Sequence, residues 1–247
     1  MPAPKRQRQR SSRARQAAMV AARRRSTRRR AIGVAVFLII LLVLGVVAVV
    51  SGGSSRDDKK VAADAGAGGC PQAKPPQRTY PTSPPIGIDP AKTYTAEIKT
   101  NQGTMVAQLD PKKALNTVNN FVFLARNHYY DCLNFHRVVP GFVLQGGDPA
   151  GDGSGGPGYK FNDELPQAGE YKVGSLAMAN SGPNTNGSQF FVISGPQGEV
   201  LPPQYSLFGQ VTEGLDVVTK IDALGTPSAP NTPREPVTIE SMTIKES

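Results

Sequence analysis

Twenty consecutive residues, Ala31 to Val50 (AIGVAVFLIILLVLGVVAVV), carry neither a charge nor a side-chain amide. As a helix rising about 1.5 Å per residue they would reach about 30 Å, the thickness of a bilayer's hydrocarbon core. The 247-residue chain is therefore not expected to fold as one soluble globule. The run divides it into a head (1–30), a transmembrane helix (31–50), a linker (51–90) and a folded domain (91–247). A cleaved secretory signal is the competing reading, but its apolar region is usually about 7–15 residues and ends at a small-residue cleavage site. Val49-Val50-Ser51-Gly52-Gly53 is a poor match to such a site. Ser26-Thr27-Arg28-Arg29-Arg30 faintly resembles a twin-arginine export signal, although the stretch after it is longer and more apolar than such signals carry. A signal anchor is the reading preferred.

Charge is unevenly placed. Residues 1–50 hold twelve Lys or Arg and no acid, and the rest holds sixteen against nineteen Asp or Glu, so a +12 head precedes a body of −3. By the positive-inside rule the head stays cytoplasmic and everything after Ser51 lies outside. The head is also expected to sit on anionic lipid headgroups, at about 1 kcal/mol per basic residue near the surface. Recruitment of cytoplasmic partners by the head is the minor alternative. No nucleic-acid partner is expected, because a slightly acidic folded part offers no basic groove.

Residues 51–90 are poor in large apolar side chains and contain Pro71, Pro75, Pro76, Pro81, Pro84, Pro85 and Pro90. That composition favours flexible and then extended polyproline chain, with a typical reach of about 35 Å for some forty residues. The two cysteines are Cys70 in this linker and Cys132 in the domain. An outside location permits a disulfide, but the sequence leaves bridged and free thiols both open.

In the domain, Tyr94–Thr100 and Thr104–Leu109 alternate around Asn101-Gln102-Gly103, a hairpin signal. Leu115, Val118, Phe121, Val122 and Ala125 recur at helical spacing within Lys113–Asn127, as do Leu215, Val218 and Ile221 within Glu213–Leu224. Val237–Ile244 reads as a last strand. By propensity alone the domain reads as all-β or α+β, and many short strands with only two helices argue for a mainly β, closed antiparallel barrel.

Two segments look unlike ordinary core: Phe135 to Asp148 (FHRVVPGFVLQGGD) and Ser175 to Phe191 (SLAMANSGPNTNGSQFF). They set Gln145, Asn180, Asn184, Asn186 and Gln189 beside Phe142, Phe190 and Phe191, with one strong cation, Arg137. Amide donors and acceptors among aromatic rings suit a peptide groove, and Phe190 is expected in the core. In order and spacing the two segments closely resemble the signature blocks of the cyclophilin family of peptidyl-prolyl isomerases, over about Tyr94 to Ile244.

The resemblance implies an eight-stranded closed barrel with a helix at each end, expected to be monomeric, acting on X-Pro polypeptides without cofactor or metal. It implies Arg137 as the catalytic residue. Phe142, Val143, Phe191, Leu201 and Tyr205 match positions lining the proline pocket, and Gln145, Ala179, Asn180 and Gln189 match positions that contact the peptide backbone and the residue before proline. Two departures stand out. Val200 stands where many members carry a tryptophan important for cyclosporin binding, so that drug is expected to inhibit weakly. Tyr205 replaces a pocket histidine, as in bacterial members.

Those residues suit the chemistry. Rotating an X-Pro bond means breaking amide resonance, a barrier of about 18–20 kcal/mol, with no new bond to form. A catalyst must hold the ring, grip the backbone and favour the twisted amide over the planar one. An arginine, always charged and rich in donors, can hydrogen-bond toward the prolyl nitrogen as its lone pair returns. Other chemistries lack their parts. The glycine run Gly151–Gly158 has no following Lys-Ser or Lys-Thr, and His128 and His136 have no partners at metal-ligand or hydrolase spacing. The expected setting is export or cell-envelope protein folding; the alternative is a proline-peptide scaffold with little or no catalysis.

Overall fold

The computed structural model of the chain describes Cys70 and residues 77–247. The basic head, the apolar run over residues 31–50 and most of the linker lie outside the described residues. Among those described, no helix is long and apolar enough to cross a membrane.

Alternating side chains build the first hairpin. β1 (Tyr94–Thr100) buries Tyr94, Ala96, Ile98 and Thr100, and β2 (Gly103–Leu109) buries Met105, Ala107 and Leu109. Thr100 pairs with Gly103, leaving a two-residue turn. Glycine is required at 103, where φ is +139° and a Cβ would lie 2.7 Å from Val217 Cγ2. The strands that follow are β3 (Leu133–Asn134), β4 (Arg137–Val139), β5 (Val143–Gly146), β6 (Ser175–Met178), β7 (Phe190–Ile193), β8 (Leu207–Glu213) and β9 (Thr238–Glu246). They form one antiparallel sheet in the order β3-β9-β1-β2-β8-β6-β7-β5-β4.

The two edge strands, β3 and β4, are separated in the chain by Phe135 and His136 alone. So short a link reaches about 10 Å at most, so the sheet must curl until its edges nearly meet. This corrects the expectation of eight strands in a closed barrel. Among the described residues there are nine strands, and no ladder joins the edges, because the closing amides are used elsewhere. Phe135 donates to the Val237 carbonyl at 2.9 Å and Val138 to that of Asn231 at 2.8 Å.

Three helices accompany the sheet among the described residues, not two: α1 (Leu115–Arg126), the short α2 (Pro196–Glu199) and α3 (Leu215–Asp222). α1 starts two residues later than its apolar spacing predicts, because Asp110 draws the amides of Lys112 and Lys113 into a turn. Its first amides, Asn116 and Thr117, are capped from a distance by the Glu164 carboxylate at 3.0 and 2.8 Å. α1 and α3 bury their apolar faces in the same core, where Phe121 packs on Tyr130, Phe190 and Phe208 with ring centroids 5.0–5.4 Å apart.

Around β5, β6 and β7 both sheet faces are covered. Leu144, Leu176, Met178, Phe190 and Val192 point into the main core, whereas Val143, Ala177, Phe191 and Ile193 point outward into a second apolar cluster with Tyr171 and Leu207. These strands therefore lack a regular apolar–polar alternation, β7 being apolar throughout and β5 interrupted by Gln145. The outward cluster is the floor of the site.

Candidate active site

Cross-strand register sets the central row. Arg137 on β4 lies opposite Gln145 on β5, Gln145 opposite Phe191 on β7, and Phe191 opposite Ala177 on β6. These four side chains therefore stand on one face of the sheet. Beyond them, Ser194 donates to the Phe142 carbonyl at 3.0 Å, and Gln197 of α2 donates to that of Gly141 at 3.1 Å. Gly195 permits this close approach, since a Cβ there would lie 2.6 Å from Gly141 Cα. The clasp brings Phe142 and Leu201 to the same rim.

The result is a cavity of about 180 Å³ lined by Arg137, Phe142, Val143, Gln145, Ala179, Asn180, Phe191, Leu201 and Tyr205. Nine of the ten residues picked out in the sequence meet here. The tenth, Gln189, lines a larger adjoining cavity of about 620 Å³ that shares Gln145, Ala179 and Asn180 and is walled by residues 153–160. The Phe191 and Tyr205 rings meet edge to face at 5.4 Å. Asn180 Nδ2 donates to the Gln204 carbonyl at 2.9 Å, tying the wall loop to the floor.

A directed chain of amides runs from the wall of the larger cavity to the arginine. Gln189 Nε2 donates to the carbonyls of Gly153 and Gly155, both at 2.9 Å. That leaves its Oε1 to accept from Gln145 Nε2 at 3.0 Å, and Gln145 Oε1 then accepts from Arg137 Nη1 at 3.1 Å. Each amide's orientation is fixed by the next. Among the described residues Arg137 forms no ion pair with a carboxylate. Burial pulls its pKa below the ordinary arginine value, but that value is so high that the guanidinium stays charged. Next to it, burial also lowers the pKa of His136, whose two ring nitrogens have no hydrogen-bond partner.

Sequence reasoning missed two supporting residues. Tyr171 is fully buried, and its hydroxyl donates to the Tyr205 carbonyl at 2.7 Å and accepts from the Tyr205 amide at 3.1 Å, fixing the pocket wall. The contact spans 34 residues, and no local pattern signals it. Asp148 is also buried and accepts the amides of Ala150, Asp152 and Gly153, folding the start of the glycine loop. An aspartate heading a glycine-rich stretch is a turn signal that could have found it. Val200 is 82% exposed and does not line the pocket.

A cation beside a ring-sized cavity with an apolar floor, next to a trough lined with amides, suits a protein that grips an extended peptide around one compact side chain. Comparison with known proteins agrees. The family model for cyclophilin type peptidyl-prolyl cis-trans isomerase/CLD matches residues 95–244, and the chain belongs to that family. It is 43% identical over 175 residues to peptidyl-prolyl cis-trans isomerase B of Streptomyces anulatus, covering 63% of this chain and 98% of that one. It is 46% identical over 136 residues to a peptidyl-prolyl cis-trans isomerase of Helicobacter pylori, covering 53% and 82%. A cyclophilin-type isomerase from Cryptosporidium parvum superposes with a TM-score of 0.58 at 30% identity, over 63% of this chain and 99% of that one. The same protein in the presence of the dipeptide Ala-Pro superposes with a TM-score of 0.57 at 30% identity, over 62% and 99%. The chain is a peptidyl-prolyl cis-trans isomerase.

Proposed function

We propose that the enzyme speeds rotation about X-Pro bonds in exported or cell-envelope proteins, with Arg137 as its catalytic residue. The observation that carries the catalytic assignment is a guanidinium that has no counter-ion among the described residues and lines the cavity with the apolar floor. The prolyl ring enters between Phe142, Val143, Phe191, Leu201 and Tyr205. Gln145, Ala179, Asn180 and Gln189 hold the peptide ahead of it. As the amide twists, its nitrogen becomes an acceptor, and an Arg137 N–H strengthens its hold at that moment and not before. The neighbouring Cryptosporidium structure, determined in the presence of the dipeptide Ala-Pro, supports a proline-containing peptide as the ligand of this site.

The location outside the membrane rests on the apolar run over residues 31–50 and the basic head before it, with its fit to anionic lipid. A disulfide between Cys70 and Cys132, Cα atoms 5.7 Å apart, supports the same side, since disulfides persist in oxidising compartments. The deciding experiment compares the cis-to-trans rate of a short X-Pro peptide with the full-length chain and its Arg137→Ala variant. Acceleration should collapse in the variant while peptide binding largely survives. Equal acceleration by both proteins would remove Arg137 from the mechanism, and binding without acceleration by the unmodified chain would leave a proline-peptide scaffold. Protease added to intact cells should degrade the domain if it lies outside.

A further inference from the structure

Residues 77–90, which the sequence assigns to the linker, lie against the domain at defined places. Arg78 donates through Nη1 to the Tyr129 carbonyl and through Nη2 to that of Asp131 at 2.8 Å, with its guanidinium 5.7 Å from the Tyr129 ring centre. Cys70 is bonded to Cys132, the next residue along that turn. Tyr80 sets its ring edge-on against Phe123 of α1 at 5.1 Å, and its amide donates to the Pro157 carbonyl at 2.8 Å. Further along, Asn119 of α1 accepts the Gly87 amide at 2.8 Å and donates to the Pro85 carbonyl at 3.0 Å.

Pro157 belongs to the wall of the larger cavity. That wall is held at one end by Asp148 and Gln189, which grip Ala150 to Gly155, and Gln189 belongs to the amide chain that ends on Arg137. Near its other end it is held by Tyr80, with Gly158 so close that a Cβ would lie 2.8 Å from the Tyr80 carbonyl oxygen. Arg78 reaches the cavity by a second route: the Tyr129 hydroxyl bonds to Ser188 Oγ at 2.9 Å, and Ser188 lines the same space.

We propose that Arg78 and Tyr80, anchored by the Cys70–Cys132 bond, are positioning residues that set the wall of the larger cavity and so decide which residues ahead of the proline the enzyme accepts. The inference rests on the isomerase reading of the site. The strap touches no reacting atom; it acts through Pro157 and Ser188. Its loss should widen the trough while leaving the proline pocket and the bond rotation intact.

The test uses the full-length chain with two peptides: a short Ala-Pro peptide that fills only the smaller cavity, and a longer one with a bulky side chain two positions before proline. Tyr80→Ala removes the ring that seats the strap, and Arg78→Ala releases the strap from the Tyr129 and Asp131 carbonyls. Both should raise KM for the longer peptide by about fivefold, roughly one hydrogen bond's worth of positioning. kcat on both peptides and KM for the short one should be unchanged, and Tyr80→Phe should behave as wild type. Equal losses on both peptides, or no change on either, would overturn the proposal. If Tyr80→Ala does not fold, Arg78→Ala decides by the same criteria. Arg137→Ala, run alongside, separates the two levels of argument: acceleration that survives it sinks the reading of the site, whatever the strap variants do.

Discussion

Replacing Gln145 by Glu changes one nitrogen to oxygen and adds a charge without changing shape. Gln145 Oε1 accepts from Arg137 Nη1 at 3.1 Å while its Nε2 donates to Gln189 at 3.0 Å. A carboxylate at this position would keep the first contact, turn it into an ion pair and lose the second. Unit charges about 4 Å apart attract by about 4 kcal/mol at an effective dielectric of 20. Arg137 is only half-buried, and solvent screening leaves about half of that. The guanidinium would then have to give up about 2 kcal/mol of ground-state attraction to serve the twisted amide, a fall in kcat of about 30-fold.

Stability should hardly change, because the lost amide bond, about 1 kcal/mol, and the desolvation of the added carboxylate, of similar size, together offset the ion pair's attraction of about 2 kcal/mol. Peptide isomerisation rates at saturating and limiting substrate, with thermal melting as the control for folding, give both quantities. A Gln145→Glu protein that melts like wild type and keeps kcat within about threefold would refute the role given to the free guanidinium.

Tyr171→Phe leaves the Tyr205 amide and carbonyl without their buried partner. It should cost about 1–3 kcal/mol and lower Tm by about 3–8 °C, with KM rising more than kcat falls; an unchanged melting curve would count against it. Turnover should be nearly flat from pH 6 to 8, because the reaction needs no side chain to titrate and Arg137 stays charged; burial lowers the His136 pKa from its ordinary 6.5. A lowered histidine pKa means that the unfolded chain binds the proton first, so stability is full above about pH 6.5 and is lost as pH falls through the folded value. Chemical denaturation at pH 7 and pH 5 should show that slope, and His136→Gln should flatten it. Cyclosporin should inhibit weakly, and Val200→Trp, at an exposed position beside Leu201, should strengthen inhibition; equal inhibition constants would mean that the pocket rim alone sets affinity.

What the sequence reveals and what it conceals divide by range of contact. Arg137, Phe142, Val143 and Gln145 fall within nine residues, and Ala179 to Phe191 within thirteen, so strand alternation and cross-strand register bring them together almost unaided. The same alternation separates Phe190, in the core, from Phe191, in the groove. Tyr171 below Tyr205, Tyr80 on Pro157 and Cys70 on Cys132 join residues 34, 77 and 62 positions apart, and no periodicity encodes them. α2 was hidden for another reason: four residues of Pro-Gln-Gly-Glu carry no apolar period, and their helix is set by Pro196 at its start and by the contacts of Gly141 and Phe142. The strand count failed at β3 and β4, each too short to show a pattern of its own.

Arg137 itself runs against the economy of the fold. A half-buried cation with no carboxylate partner among the described residues is costly to desolvate, which is the cause of its lowered pKa, and one hydrogen bond to a neutral amide offsets only part of that cost. Nothing in the packing of β4 needs the charge, since the β4–β5 ladder is made by backbone groups and Val138 fills the core beneath. If the residue is present for catalysis alone, Arg137→Met should keep the stem's packing, relieve the desolvation and lose one hydrogen bond, terms of about 1 kcal/mol each and of opposite sign. Tm should then stay within about 3 °C of wild type, the shift expected of 1 kcal/mol in a domain this size. Turnover should fall by about 100-fold or more, as when a single transition-state donor is removed. A melting point that drops much further would mean that the guanidinium holds the sheet edge together, and the loss of activity would then report unfolding, not chemistry.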